Sequence, residues 1–153
     1  MKLFRLRKTQ ILPITIEDCW EFFSDPKNLK TLTPKYMGFK VIDYDETSIY
    51  SGQIIKYKIT PFLGIKMDWV TEISNVQEKS FFIDEQRFGP YKFWHHKHKF
   101  KKISEGVEVI DIVDYALPLG PIGVFFQPIL IKPKLEEIFC FREKKLFEIF
   151  GKI

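Results

Sequence analysis

The chain has 153 residues, about the size of a single domain spanning 1–153, and buries enough surface to fold without a disulfide or a metal. Hydrophobic residues at 45% and charged residues at 29% exclude disorder, and a net charge of +4 permits an anionic partner without requiring one. The unusual count is 16 Phe beside 3 Trp and 6 Tyr, which implies either an aromatic core or a ring-lined cavity.

Residues 2–12 alternate, with Phe4 and Leu6 opposed to Arg5 and Arg7, the period of a half-buried strand. Thr15 then precedes Ile16-Glu17-Asp18, an N-cap with an acidic residue in the capping-box position. This helix runs to about Ser24 with Cys19, Trp20 and Phe23 inward; a second, short helix follows Asp25-Pro26 through Leu32 and stops at Thr33-Pro34. From Met37 to Ala116 the pattern is strand after strand. Turn signals fall at Asp45-Glu46-Thr47, 61–64, Asn75 to Lys79, Gly89-Pro90 and Glu105-Gly106. Six consecutive strands plus the first predict an antiparallel sheet of seven. Pro118, Gly120, Pro121, Gly123 and Pro128 predict a loop with one extra apolar turn around 124–126. Lys132-Pro133 begins a helix to about Phe150, with Leu135, Ile138, Phe139, Leu146, Ile149 and Phe150 in one stripe.

Cys19 and Cys140 lie on apolar-rich segments and form no disulfide framework, so both are expected to act as small hydrophobes in a reducing compartment. The basic N-terminus lacks the apolar run of a signal peptide and no stretch approaches a membrane span. The expectation is a cytoplasmic protein without stable membrane insertion; its oligomeric state is open.

Several segments carry a resemblance: Trp20-Glu21-Phe22-Phe23-Ser24-Asp25-Pro26, Leu32-Thr33-Pro34, Met37-Gly38-Phe39, Gln86 to Tyr91, Trp94-His95-His96, and Asp111 to Pro118. With the order strand, two short helices, six strands and a long helix, the chain resembles the helix-grip fold of the START-like (SRPBCC) superfamily. It looks closest to a bacterial group related to cyclase/dehydrase-like proteins. The resemblance implies an α+β fold in which the sheet wraps the C-terminal helix around an apolar cavity. It also implies two lid loops at the mouth, Pro61-Phe62-Leu63-Gly64 and Phe88-Gly89-Pro90-Tyr91. Ordinary hairpin loops packed back on the core are the alternative.

Trp94, His96, His98 and Phe100 share one face of a strand, and His95, Lys97, Lys99 and Lys101 the other. Trp and Phe belong inside, so His96 and His98 should face the interior. The pair suits polar ligand recognition or a polar patch of the sheet. A His-x-His pair can also hold a metal, with Asp84 or Asp111 as third ligand, but no further local ligand motif accompanies it, so no metal is expected. Arg142 falls inside the apolar helix stripe, where a guanidinium must be paired. Asp111 is the first expected partner, Asp84 the second, and the acidic head of a ligand the third. Arg5, Arg7, Lys97, Lys99, Lys101 and Lys102 mark a solvated sheet face without an aromatic platform, so nucleic acid is not an expected partner. No phosphate loop or nucleophile elbow is present, and no cofactor is expected.

The reading is a domain that binds an apolar or amphipathic small molecule: a lipid, fatty acid, aromatic or polyketide-like compound. Tyr57, Trp69, Gln86, Trp94, His96, His98, Phe139 and Arg142 are the expected ligand contacts. A cyclase/dehydrase-type enzyme using His96 or His98 with Asp111 as acid-base groups is the second hypothesis. A protein-interaction domain is the third.

Overall fold

Alternation in the first segment becomes strand β1, Phe4–Leu12, with Leu6 and Leu12 buried and Arg5 and Arg7 in water. The structure is a computed structural model that describes residues 1–44, 48–60 and 64–152. Helix α1, Ile16–Phe23, starts as the cap predicts: the Asp18 amide donates to Thr15 Oγ1 at 3.1 Å, and the Thr15 hydroxyl donates to Asp18 Oδ2 at 2.6 Å. Cys19, Trp20 and Phe23 are its buried residues. The short helix α2, Asn28–Thr31, and a single 3-10 turn, Lys35–Met37, lead into the sheet.

Strands β2 (Lys40–Asp43), β3 (Gln53–Ile59), β4 (Met67–Gln77), β5 (Phe81–Phe88), β6 (Phe93–Ile103) and β7 (Gly106–Ala116) follow. The sheet has seven strands in the order β1-β7-β6-β5-β4-β3-β2, every neighbouring pair antiparallel. The turn expected from Asn75 to Lys79 falls at the end of that span. A register shift between Ile73 and Asn75 carries β4 on to Gln77, and Lys79 takes the left-handed conformation in the turn itself. A bulge of this kind admits an extra residue and bends the strand, which helps the sheet curl.

The C-terminal helix begins earlier than its prolines imply. Helix α3, Pro121–Phe126, passes through a π-helical segment, Gln127–Ile131, into helix α4, Lys132–Phe150. A proline ring in a regular helix clashes with the carbonyl one turn back. The wider π turn at Pro128 relieves that crowding, so the chain continues instead of breaking. Leu135, Phe139, Arg142 and Leu146 form the buried face of α4, whereas Ile149 is exposed, contrary to the stripe read from spacing. Cys140 is exposed as well and is not the buried hydrophobe expected. Cys19 is, and burial pushes its thiol up to about 12.

The core forms two clusters. One gathers Trp20, Phe23, Phe82 and Phe100 with Leu12 and Leu146; the other gathers Tyr91, Trp94 and Tyr115 with Leu135 and Phe139. Among the described residues, no helix is long and apolar enough to cross a membrane.

Candidate ligand-binding site

Between the concave face of the sheet and α4 lies a cavity of about 190 Å³. It is smaller than the 300–1,000 Å³ typical of small-molecule sites. The rings that were expected to line the space also occupy part of it. Trp69 and Trp94 meet edge to face at 5.3 Å, and Tyr91 packs on Trp94 at 4.7 Å. Tyr57, Trp69, Trp94, His96, His98, Phe139 and Arg142 all line the cavity.

Gln86 does not. Its side-chain Nε2 donates to the Tyr91 carbonyl at 2.7 Å, and its Oε1 accepts from the Tyr91 amide at 3.1 Å. Both ends of the amide pin the turn 89–91. Of the two expected lid loops, Pro61, Phe62 and Leu63 lie outside the described residues, and the adjoining Gly64 is exposed. In the other, Tyr91 is buried and lines the cavity, Gly89 and Pro90 do not line it, and Phe88 is 63% exposed.

A cluster of charged and titratable groups occupies one wall. Register brings it together: Asp84 on β5 stands opposite His96 on β6, and His98 on β6 stands opposite Asp111 on β7. His96 Nε2 is 2.9 Å and His98 Nδ1 is 3.0 Å from the same atom, Asp111 Oδ1. On the other side, His98 Nε2 is 2.8 Å and His96 Nδ1 is 3.4 Å from Asp84 Oδ2. The two imidazoles lie against each other at 3.7 Å, and Phe82 stacks on His98 at 4.2 Å. Arg142 completes the group from α4, its Nη2 3.7 Å from Asp111 Oδ1 and 3.4 Å from His98 Nδ1. The guanidinium also lies over the rings of Phe23 and Phe139. Its Nε, fully buried, has no hydrogen-bond partner among the described residues.

Burial raises the cost of ionising Asp111, yet the Arg142 charge and the hydrogen bonds from His96 and His98 outweigh it and hold the carboxyl well below its ordinary range. Asp84 is lowered in the same way, burial being overcome by the two imidazoles and by a hydrogen bond from Trp94. The histidines diverge. Burial, and then the neighbouring His98, push His96 down. For His98, burial is outweighed by its bonds to Asp111 and Asp84, and its affinity for a proton rises. Asp111 sits behind the imidazoles and does not line the main cavity, whereas Asp84 does. Asp84 is a cavity residue outside the expected ligand contacts; reasoning from sequence placed it as a possible partner of Arg142 and a possible third metal ligand. The signal for it was a carboxylate directly after the apolar run Phe81-Phe82-Ile83.

A seven-stranded antiparallel sheet gripping a C-terminal helix is a helix-grip fold. Solved structures share it. Protein CV1439 from Chromobacterium violaceum is 18% identical with a TM-score of 0.72, over 97% of this chain and 99% of that one. A protein of unknown function from Staphylococcus aureus, SA2116, is 9% identical with a TM-score of 0.72, over 97% and 94% of the two chains. The di-domain ARO/CYC StfQ from the steffimycin biosynthetic pathway is 9% identical with a TM-score of 0.68, over 97% of this chain and 52% of StfQ. At such identities the likeness is one of fold. No protein-family model matches the sequence, and no curated protein is significantly similar to it.

Proposed function

We propose that the chain binds a compact apolar or amphipathic molecule, ring-bearing and acidic, in the cavity between the sheet and α4. The observation that carries this reading is a ring-lined space with a buried, incompletely bonded arginine on its wall. An apolar cavity of about 150 Å³ is enough for benzene. A space of about 190 Å³ therefore suits a small aromatic acid better than a long acyl chain. Apolar burial supplies most of the affinity, and Arg142 orients a carboxylate through charge-assisted hydrogen bonds.

Titration calorimetry with aromatic monocarboxylic acids and their matching amides tests this. The acids are expected to bind at least tenfold more tightly, and Arg142→Met is expected to erase the preference. Equal affinity for acids and amides, or no binding by any of them, would refute it.

A second reading is an enzyme of the cyclase or dehydrase type. It is favoured by the buried His96–Asp111 pair, an orienting carboxylate behind an imidazole that faces the cavity. The fold it shares with StfQ is consistent with such a role. Turnover lost in His96→Ala with binding retained would support this reading over the first.

A further inference from the structure

Four contacts between imidazole nitrogens and carboxylate oxygens surround His96 and His98, two at Asp84 and two at Asp111. A neutral imidazole carries one N–H and one lone pair. Two neutral rings supply two protons, which make the bonds from His96 Nε2 to Asp111 Oδ1 and from His98 Nε2 to Asp84 Oδ2, while His98 Nδ1 accepts from Arg142 Nη2. In that state the contacts of His96 Nδ1 with Asp84 and of His98 Nδ1 with Asp111 carry no proton. Another arrangement satisfies all four while both rings stay neutral. Both N–H groups point to Asp111 Oδ1, and a cation sits where His96 Nδ1, His98 Nε2 and Asp84 Oδ2 converge.

We propose that Asp84, His96 and His98 form a divalent transition-metal site in the cavity wall, with Asp111 orienting both imidazoles. The three donor atoms lie within 4.8 Å of one another. For metal–ligand bonds of about 2.0–2.2 Å, tetrahedral geometry sets donor atoms about 3.3–3.5 Å apart. His96 Nδ1 and Asp84 Oδ2 are already 3.4 Å apart, and the 2.8 Å between His98 Nε2 and Asp84 Oδ2 opens by a small rotation of either side chain. Ligating histidines usually give their remaining N–H to a carboxylate, which fixes ring and tautomer. Asp111 serves both rings at once, at 2.9 and 3.0 Å.

Two histidines and one carboxylate leave coordination positions open, as in sites that exchange water for a ligand. Asp84, His96 and His98 all line the cavity, and so does Arg142, a second contact for an anion. The metal would thus anchor the same acidic ligand, and this part of the inference rests on the function proposed above. The metal site itself is tested without any ligand, so the two fail separately.

The test is titration of chelator-treated protein with Co²⁺, followed by visible absorption, and with Zn²⁺, followed by calorimetry. One equivalent is expected to bind, with the d–d bands of four- or five-coordinate Co²⁺. Asp84→Asn should weaken binding at least tenfold, and Asp111→Asn about 10–100-fold. His95→Ala, on the outer face of β6, should leave it unchanged. Binding that survives Asp84→Asn, or that His95→Ala removes, would overturn the proposal. So would less than one equivalent in the unaltered protein. If a variant fails to fold, proton NMR of the Co²⁺ form decides. Two hyperfine-shifted exchangeable imidazole protons are expected, and their absence counts against the site.

Discussion

At the residue scale, Arg142 shows why a buried charge cannot be treated as half of a simple pair. Its guanidinium lies 3.7 Å from Asp111, the partner expected from its place in the helix stripe. Removing one member of a buried ion pair typically costs about 3–5 kcal/mol, because the other charge stays behind uncompensated. Arg142→Met is expected to lose about 3 kcal/mol, at the low end, since His96 still donates to Asp111. From the sequence alone, removing Asp111 as well should restore most of this loss. The structure reverses that expectation. Asp111 is also the acceptor for the His96 imidazole, so a double change Arg142→Met with Asp111→Leu strands that buried N–H group. Urea denaturation should find the double variant no more stable than the single one; recovery to the level of the unaltered protein would show that His96 does not depend on Asp111.

At the scale of elements, the hairpin joining β6 and β7 is the most constrained turn of the sheet. Ile103 pairs with Gly106, and Gly106 sits at a φ of +140° against β1. A Cβ on it would lie 2.1 Å from the carbonyl oxygen of Leu12. Because β1 pairs with β7 throughout, that clash would push an entire edge strand away. Gly106→Ala is therefore expected to destabilise by at least about 2 kcal/mol, from backbone strain together with the displaced contact. Thermal unfolding followed by circular dichroism checks this, and a midpoint within a degree of the unaltered protein would contradict it. At Gly64 no atom of the described residues lies within 4 Å of the position a Cβ would take, so strain there would come from its φ of +72° rather than from a clash.

For the whole molecule, the distribution of rings decides which of the many phenylalanines matter for stability. Phe139 is buried against the cavity and Phe125 is 67% exposed on α3. Phe139→Ala should cost about 3–5 kcal/mol, the range for truncating a core phenylalanine. Phe125→Ser should change stability by less than about 0.5 kcal/mol. Equal losses for the two, measured by urea unfolding, would mean that α3 packs on the core more tightly than its exposure shows. Leu119, Ile122, Phe126, Ile129 and Leu130 are exposed along the same stretch. Clustered apolar residues on a surface are characteristic of interaction sites. Phe125→Ser is accordingly expected to lower binding of a hydrophobic dye while leaving the fold intact.

The sequence by itself determined the elements and their faces, because these depend on local period. Alternation at Trp94, His96, His98 and Phe100 was enough to put both histidines inside, and the Thr15 cap was enough to place α1. The spacing of Arg142 was enough to bury it. Helix continuity through Pro128 was not legible, since composition marks a proline as a breaker and only the surrounding turn geometry shows how the chain accommodates it. Nor was the role of Gln86, whose two amide atoms find their partners on a backbone five residues away. The Asp84–His96–His98–Asp111 cluster depended on tertiary structure entirely. Three strands had to pair in one register before carboxylates from β5 and β7 could meet on either side of β6. A shift by one residue would turn each side chain to the opposite face. Cavity size was decided at the same level: the number of rings is a property of composition, but the space left among them is a property of how they pack.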